Sequence, residues 1–170
     1  MTTATADRPL PVERRRRTWP VLVALLVINA LVAAGGSIAS TSGVDGWYVD
    51  AAKPDWIPPN ALFGPVWTVL YIMMAVAAWL VWRDVDTRSA RLPLILYGVQ
   101  LALNAAWTPV FFGAEILGGG LVIILLLEVA LVATIVAFHR VHRLAAWLLG
   151  PYLAWALYAT TLNAAVAALN

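Results

Sequence analysis

From residue 18 onward the chain alternates long apolar runs with short polar breaks. Five runs stand out, at about 19–40, 60–82, 92–112, 116–138 and 144–169. Each has roughly the 20 residues that a helix needs to cross hydrocarbon. Closed β-barrels are the rival spanning structure, but they require short segments that alternate polar with apolar residues. No run here alternates in that way. The pattern predicts an all-α fold: an integral membrane bundle of five transmembrane helices (residues 18–170), preceded by a basic polar tail (1–17). Pro20 and Pro93 fall in expected first turns, where a missing N–H costs little. Pro151 lies inside the fifth run and predicts a bend near residues 147–151. The first run has the outline of a signal peptide, but it exceeds an apolar region of about 7–15 residues. It is expected to remain as the first helix.

The polar breaks carry the orientation. Five basic residues lie in the tail (Arg8 and Arg14 to Arg17), three in the 83–91 break (Arg83, Arg88, Arg91) and two at 139–143 (Arg140, Arg143). These segments share one side of a five-helix bundle, and the other side has only Lys53. Basic residues favour the cytoplasm, so the N-terminus is expected to be cytoplasmic and the 41–59 loop external. Composition agrees with the membrane reading: 62% of residues are hydrophobic and 12% charged, against about 45–50% and about 25% for a soluble domain. The absence of cysteine excludes disulfides, thiol catalysis and thiolate metal sites.

The 41–59 loop, TSGVDGWYVDAAKPDWIPP, is long for a connection in a compact bundle, and such loops are often functional. Three prolines restrict it, so it is expected to act as a lid-like cover. Trp47, Tyr48 and Trp56 can either fold over the bundle mouth or anchor the loop among headgroups.

Helical spacing groups the unusual residues within the runs. Phe63, Trp67, Tyr71 and Met74 form a stripe on the second run. Gln100, Asn104, Trp107 and Phe111 form one on the third, and Tyr152, Trp155, Ala159 and Asn163 one on the fifth. Polar side chains at membrane depth face the protein interior or a cavity. Three such stripes imply an interior pocket with flat walls and a few hydrogen-bonding groups. For Gln100 and Asn163, interhelical hydrogen bonding is an equally good reading. Gly98, Ala102 and Ala106 form a small-residue stripe rotated away from Asn104 and Trp107, a candidate homodimer face. Trp19, Trp79, Trp82 and Trp147 lie near run ends and are assigned to the interfacial belt.

The 41–59 loop and the start of the second run together read W-Y-x(4)-K-P-x-W-x-P-P-x(3)-F-G-P-V-W-T-x-L-Y. Together with LYGVQLALNAAWTPVFFG at 96–113 and LLGPYLAWALYATTLNAAVAALN at 148–170, it resembles the tryptophan-rich sensory protein family, also called the translocator protein or peripheral benzodiazepine receptor family. The resemblance covers all five runs and implies a bacterial member. It implies a receptor-like protein, commonly dimeric, that binds protoporphyrin IX, haem or related tetrapyrroles and requires no cofactor. By the same resemblance, Trp67, Asn104, Trp107, Trp155 and the neighbourhood of Ala159 belong to the ligand site. Some bacterial relatives degrade porphyrin in light, which makes Trp67 and Trp155 the candidates for any chemistry. The animal family's cholesterol-recognition pattern needs tyrosine and arginine where this chain has Ala164 and Ala168, so sterol recognition by that motif is absent. A porphyrin transporter and a stress-sensing scaffold are the alternative functions.

No catalytic constellation is visible, no nucleic-acid partner is expected, and no metal site is expected. His139 and His142 read as part of a solvated basic turn. Glu128, midway along the fourth run, is an intramembrane acid for which a structural or interface role is favoured. Gly118-Gly119-Gly120 can admit either a ligand or a neighbouring helix.

Overall fold

The computed structural model describes residues 18–44 and 46–170; the expected basic tail, 1–17, lies outside them. The elements in chain order are α1 (Trp19–Val44), the short α2 (Trp47–Asp50), a 3-10 turn (Asn60–Leu62), α3 (Phe63–Asp84) and α4 (Thr87–Thr108). A π-helical turn (Pro109–Gly113), α5 (Leu117–Val141), α6 (Arg143–Leu148) and α7 (Gly150–Leu169) follow. Five segments are long and apolar enough to cross a membrane: Trp19–Thr41, Asn60–Asp84, Thr87–Gly113, Leu117–Val141 and Arg143–Leu169. No strand occurs among the described residues. The protein is an all-α integral membrane bundle.

α1 packs on α3 and on the π-helical turn, and α4 packs extensively along α5. The fifth span is two helices. Pro151 and Gly150 open α7, and the chain tightens just before them, where the Leu149 N–H bonds to the Ala146 carbonyl at 3.1 Å. α6 packs against both α3 and α5, whereas α7 packs closely on α5 but not along α3 or α4. The break in the fifth span thus separates an end of the bundle where α6 packs on both α3 and α5 from an end where α7 packs on α5 but stands off α3 and α4.

Two boundaries differ from the sequence expectation. α4 begins at Thr87 rather than near Leu92, because Asp86 caps it. Its carboxylate accepts the backbone N–H groups of Arg88 and Ser89, both at 3.1 Å. Capping satisfies donors that would otherwise be orphaned at the helix start, and it leaves Pro93 inside the helix. α1 continues to Val44 and shortens the expected 41–59 loop. There Gly43 is buried against the π-helical turn. A Cβ at Gly43 would lie 2.9 Å from the Phe112 carbonyl carbon and closer still to its oxygen. Only glycine permits that approach of backbone to backbone.

At the opposite end, polar groups tie the spans together. His142 caps α6 by accepting the Ala145 N–H on Nδ1 at 3.2 Å, which leaves Nε2–H to donate to Asp84 at 3.1 Å. His142 is therefore a tie between the second and fifth spans, not part of a solvated turn; His139 is exposed as expected. Asp84 also accepts two bonds of 2.6 Å from Arg83, whose guanidinium lies 4.4 Å from the Trp79 ring centroid. Trp79 is half-buried, and its Nε1–H donates to the Thr18 carbonyl at 2.9 Å. It packs into the bundle rather than joining the interfacial belt. Trp19, Trp82 and Trp147 are exposed, as belt residues should be.

The Gly43 contact sets a test. Gly43→Ala should force α1 away from Phe112 and destabilise the bundle by about 1–3 kcal/mol, visible as a lower Tm in detergent. Gly36→Ala should be tolerated, because its Cβ would meet Thr108 at an ordinary 3.5 Å. Equal Tm values for the two variants would overturn this account of the close approach.

Candidate ligand site

The space between α7 and the pair α3 and α4 is filled by side chains rather than closed by backbone contact. Three residues form its polar centre. The Tyr71 hydroxyl donates to Asn104 Oδ1 at 2.5 Å, and Asn104 Nδ2 donates to the Tyr152 hydroxyl at 2.8 Å. These residues come from α3, α4 and α7, and all three are buried. Burial explains the arrangement: each polar group at this depth needs a partner within the protein.

Aromatic rings surround this relay. Trp67 lies 5.5 Å from Tyr71 and 6.0 Å from Tyr152, centroid to centroid. Phe63 meets Trp155 edge-on at 5.7 Å, and Trp155 meets Tyr158 at 5.6 Å. Edge and tilted geometries at 4.5–7 Å are favourable for aromatic pairs. Trp155 Nε1 is buried yet has no hydrogen-bond partner among the described residues. One turn before Asn104 on α4, Gln100 is fully buried; its Nε2 approaches Met74 Sδ at 3.9 Å, and its Oε1 has no partner among the described residues.

A second aromatic group adjoins the first. Trp107 stacks on Phe111 at 5.6 Å with an interplanar angle of 15°. Its Nε1–H donates to Asn163 Oδ1 at 3.1 Å, while Asn163 Nδ2 donates to the Leu117 carbonyl at 3.2 Å. Gly120 makes this junction possible. A Cβ there would lie 2.9 Å from Phe111 Cδ2 and 3.1 Å from Asn163 Oδ1. In the glycine run, then, it is a neighbouring helix that Gly120 admits. Ala159 is buried in the main core beside Ala156.

The loop closes over this end. Tyr48 is buried and meets Phe112 at 5.3 Å, and Trp47 Nε1–H donates to the Phe112 carbonyl at 3.1 Å. Lys53 Nζ donates to the carbonyls of Tyr48 and Val49 and lies 4.9 Å from the Tyr48 ring centroid. Ala52 exchanges two hydrogen bonds of 3.0 Å with the Asn170 side chain. The Tyr158 hydroxyl donates to the Trp56 carbonyl at 3.0 Å. The loop is strapped to both α7 and the π-helical turn, while Trp56 keeps an exposed ring. Burial and the nearby Tyr158 push the Tyr48 phenol above its ordinary value, so it stays neutral through physiological pH.

The eleven sequence-predicted ligand residues thus fall in three places. Tyr71 and Asn104 form the relay with Tyr152, Trp67 packs on both tyrosines, and Phe63 and Trp155 pair on the same helices, with Ala159 and Gln100 buried in the core. Trp107, Phe111 and Asn163 form the adjoining group. Trp47 reaches that group from the loop through Phe111, at 5.9 Å. Gly98 and Ala102 are exposed and Ala106 half-buried, on the side of α4 away from the relay. Glu128 Oε1 accepts the Thr160 hydroxyl at 2.6 Å, a polar tie between α5 and α7. Two buried residues went unread in the sequence. Asn29 Nδ2 donates to the Tyr97 hydroxyl at 2.6 Å, pinning α1 to α4. A lone amide in the first apolar run was the available signal.

Fold and site together define an integral membrane protein of five spanning segments with an aromatic seam and buried amides between its last helix and two others. The profile of the TspO/MBR family matches residues 23–169. The chain is 50% identical to the human translocator protein over 119 residues, 69% of this chain and 70% of that one. It is 37% identical to the tryptophan-rich protein TspO of Archaeoglobus fulgidus over 149 residues, 88% of this chain and 96% of that one. It is 39% identical to protein CrtK of Rhodobacter capsulatus over 145 residues, 85% and 89% of the two chains. The chain belongs to the TspO/MBR family and is a membrane receptor-like protein.

The relay predicts a coupled mutational effect. Asn104→Leu should strand the Tyr71 and Tyr152 hydroxyls and lower stability by about 1–3 kcal/mol. Adding Tyr71→Phe should recover part of that loss, although Tyr71→Phe alone destabilises the parent. Strictly additive Tm losses in the double mutant would count against the relay.

Proposed function

We propose that the protein binds a flat tetrapyrrole such as protoporphyrin IX within the membrane, between α7 and the α3–α4 pair. The observation that carries this reading is the seam itself. α7 is held off α3 and α4 by rings rather than by backbone contact, and rings can change rotamer without breaking the helices. Trp67, Trp155, Phe63 and Trp107 supply apolar faces. The Tyr71–Asn104–Tyr152 relay and the unpartnered Trp155 N–H supply polar groups for the edge of a macrocycle. A largely apolar site with a few convergent polar groups is the usual form of a small-molecule site. The strapped loop covers one end of the seam and serves as its lid.

On this reading the protein lies in a bacterial cell membrane with its N-terminus cytoplasmic and its lid external. It pairs with a second copy through Gly98, Ala102 and Ala106 of α4, where small residues allow close helix approach. In light, Trp67 and Trp155 stack on or exchange electrons with the excited porphyrin, and receptor and degradation roles share one site.

Side-by-side titration with protoporphyrin IX, haem and a sterol tests the ligand class. Saturable tryptophan quenching is expected with the porphyrin and none with the sterol. Trp155→Phe should weaken porphyrin binding about three- to tenfold, the scale of one aromatic contact and one hydrogen bond. Absence of saturable quenching would refute the proposal. Loss of the porphyrin absorption band under illumination should slow in a Trp67→Phe/Trp155→Phe double variant; an unchanged rate would remove the photochemical role.

A further inference from the structure

We propose that the groove between the end of α3 and the start of α4 is a binding site for one anionic phospholipid. The groove has a volume of about 330 Å³ and is lined by Trp82, Val85, Thr87, Ala90, Arg91, Leu94 and Ile95. Its mouth is at the polar turn joining the helices. Its floor follows α4 from Thr87 to Leu94, about 10 Å at 1.5 Å per residue. It therefore runs from headgroup level into hydrocarbon, with an exposed Trp82 at the rim. The lining changes along that path from Thr87 and Arg91 to Leu94 and Ile95, polar first and apolar beyond. That gradient matches a lipid with its acyl chain in the groove and its phosphate at the mouth.

Charge decides which lipid. The turn carries two acids and three arginines, but the acids are already engaged. Asp84 holds Arg83 through two bonds and takes a third from His142. Asp86 is committed to the backbone N–H groups of Arg88 and Ser89. The Ser89 hydroxyl and backbone N–H hold the Asp86 carboxyl below the usual carboxylate range, so it stays ionised in that role. The side chains of Arg88 and Arg91 are exposed and make no hydrogen bond or ion pair among the described residues. Arg91 lines the groove, and Arg88 sits three residues before it on α4, the spacing of neighbours on a helix surface. Two unengaged guanidinium groups over an apolar groove select a lipid with a negative headgroup. A guanidinium can take a phosphate through two parallel hydrogen bonds. Among the described residues this end also carries Arg83, Arg88, Arg91, Arg140 and Arg143, as expected for the side facing the anionic leaflet.

Native mass spectrometry of the full chain, released from nanodiscs of mixed phosphatidylglycerol and phosphatidylcholine, tests the site. One phosphatidylglycerol should remain bound to the parent protein in preference to phosphatidylcholine. Arg88→Gln/Arg91→Gln should weaken its retention about thirtyfold, since each basic residue near an anionic surface contributes about a factor of five. Arg140→Gln/Arg143→Gln removes the same charge from the other loop at this end and should leave retention unchanged. Brominated phosphatidylglycerol chains should quench the parent more than a Trp82→Phe variant. Equal retention in both arginine variants, equal loss in both, or no preference for the anionic lipid would each overturn the proposal. So would displacement of the lipid by inorganic phosphate alone, which would make the mouth a simple anion site.

Discussion

Hydrocarbon supplies no hydrogen bonds, so every polar group carried into it must be matched from within the chain. In this protein the matches are made between helices distant in sequence. Asn104 is joined to Tyr71 and Tyr152, Trp107 to Asn163, Asn29 to Tyr97, and Glu128 to Thr160. Each pair is modest, since interhelical bonds in membranes average about 0.6 kcal/mol. Their larger effect is on register: an amide at one level fixes which turn of one helix meets which turn of the next. The aromatic rings then pack around positions already set. Three buried atoms have no match among the described residues: Asn29 Oδ1 at the contact of α1 with α4, and Trp155 Nε1 and Gln100 Oε1, which stand beside the region proposed to receive a ligand.

Small residues supply the complementary half of the design. Gly43 lets α1 touch the backbone of the π-helical turn, and Gly120 lets α5 meet Phe111 and Asn163. These contacts draw α1, α4 and α5 together at the lid end. Pro151 and the break at Leu149 act in the other direction. They let α6 hold α3 at one end while α7 stands off at the other. Close approach on one side of the bundle and separation on the other come from three or four positions, and the seam is their result.

Much of this was legible in the sequence because the signals are local. Span length, Pro151 and the three aromatic stripes follow from periodicity and need no tertiary knowledge. Hydropathy alone places the start of α4 near Leu92, whereas the helix is set by the Asp86 cap six residues earlier. The end of α1 and the role of His142 depended on contacts with Phe112 and Asp84, far away in the chain. Trp79 looked like a belt residue by position alone; only the Thr18 carbonyl and Arg83 show that it turns inward. Nothing in the sequence separated the Trp107–Phe111–Asn163 group from the relay group, since both stripes share a face of α4.

The distribution of donor types bears on which tetrapyrrole suits the seam. Haem iron is held by histidine, cysteine, methionine or tyrosine ligands. The chain has no cysteine. His139 and His142 lie at the far end of the bundle, and both ring nitrogens of His142 are engaged. Met74 is wholly buried beside Gln100. Tyr71 and Tyr152 are the ring-bearing oxygens nearest the proposed site, and ligating iron would require one of them to leave Asn104, the hub that joins three helices. A metal-free macrocycle makes no such demand. It would present apolar faces to the tryptophans and hydrogen-bonding groups at its centre and edge, in keeping with the proposed site.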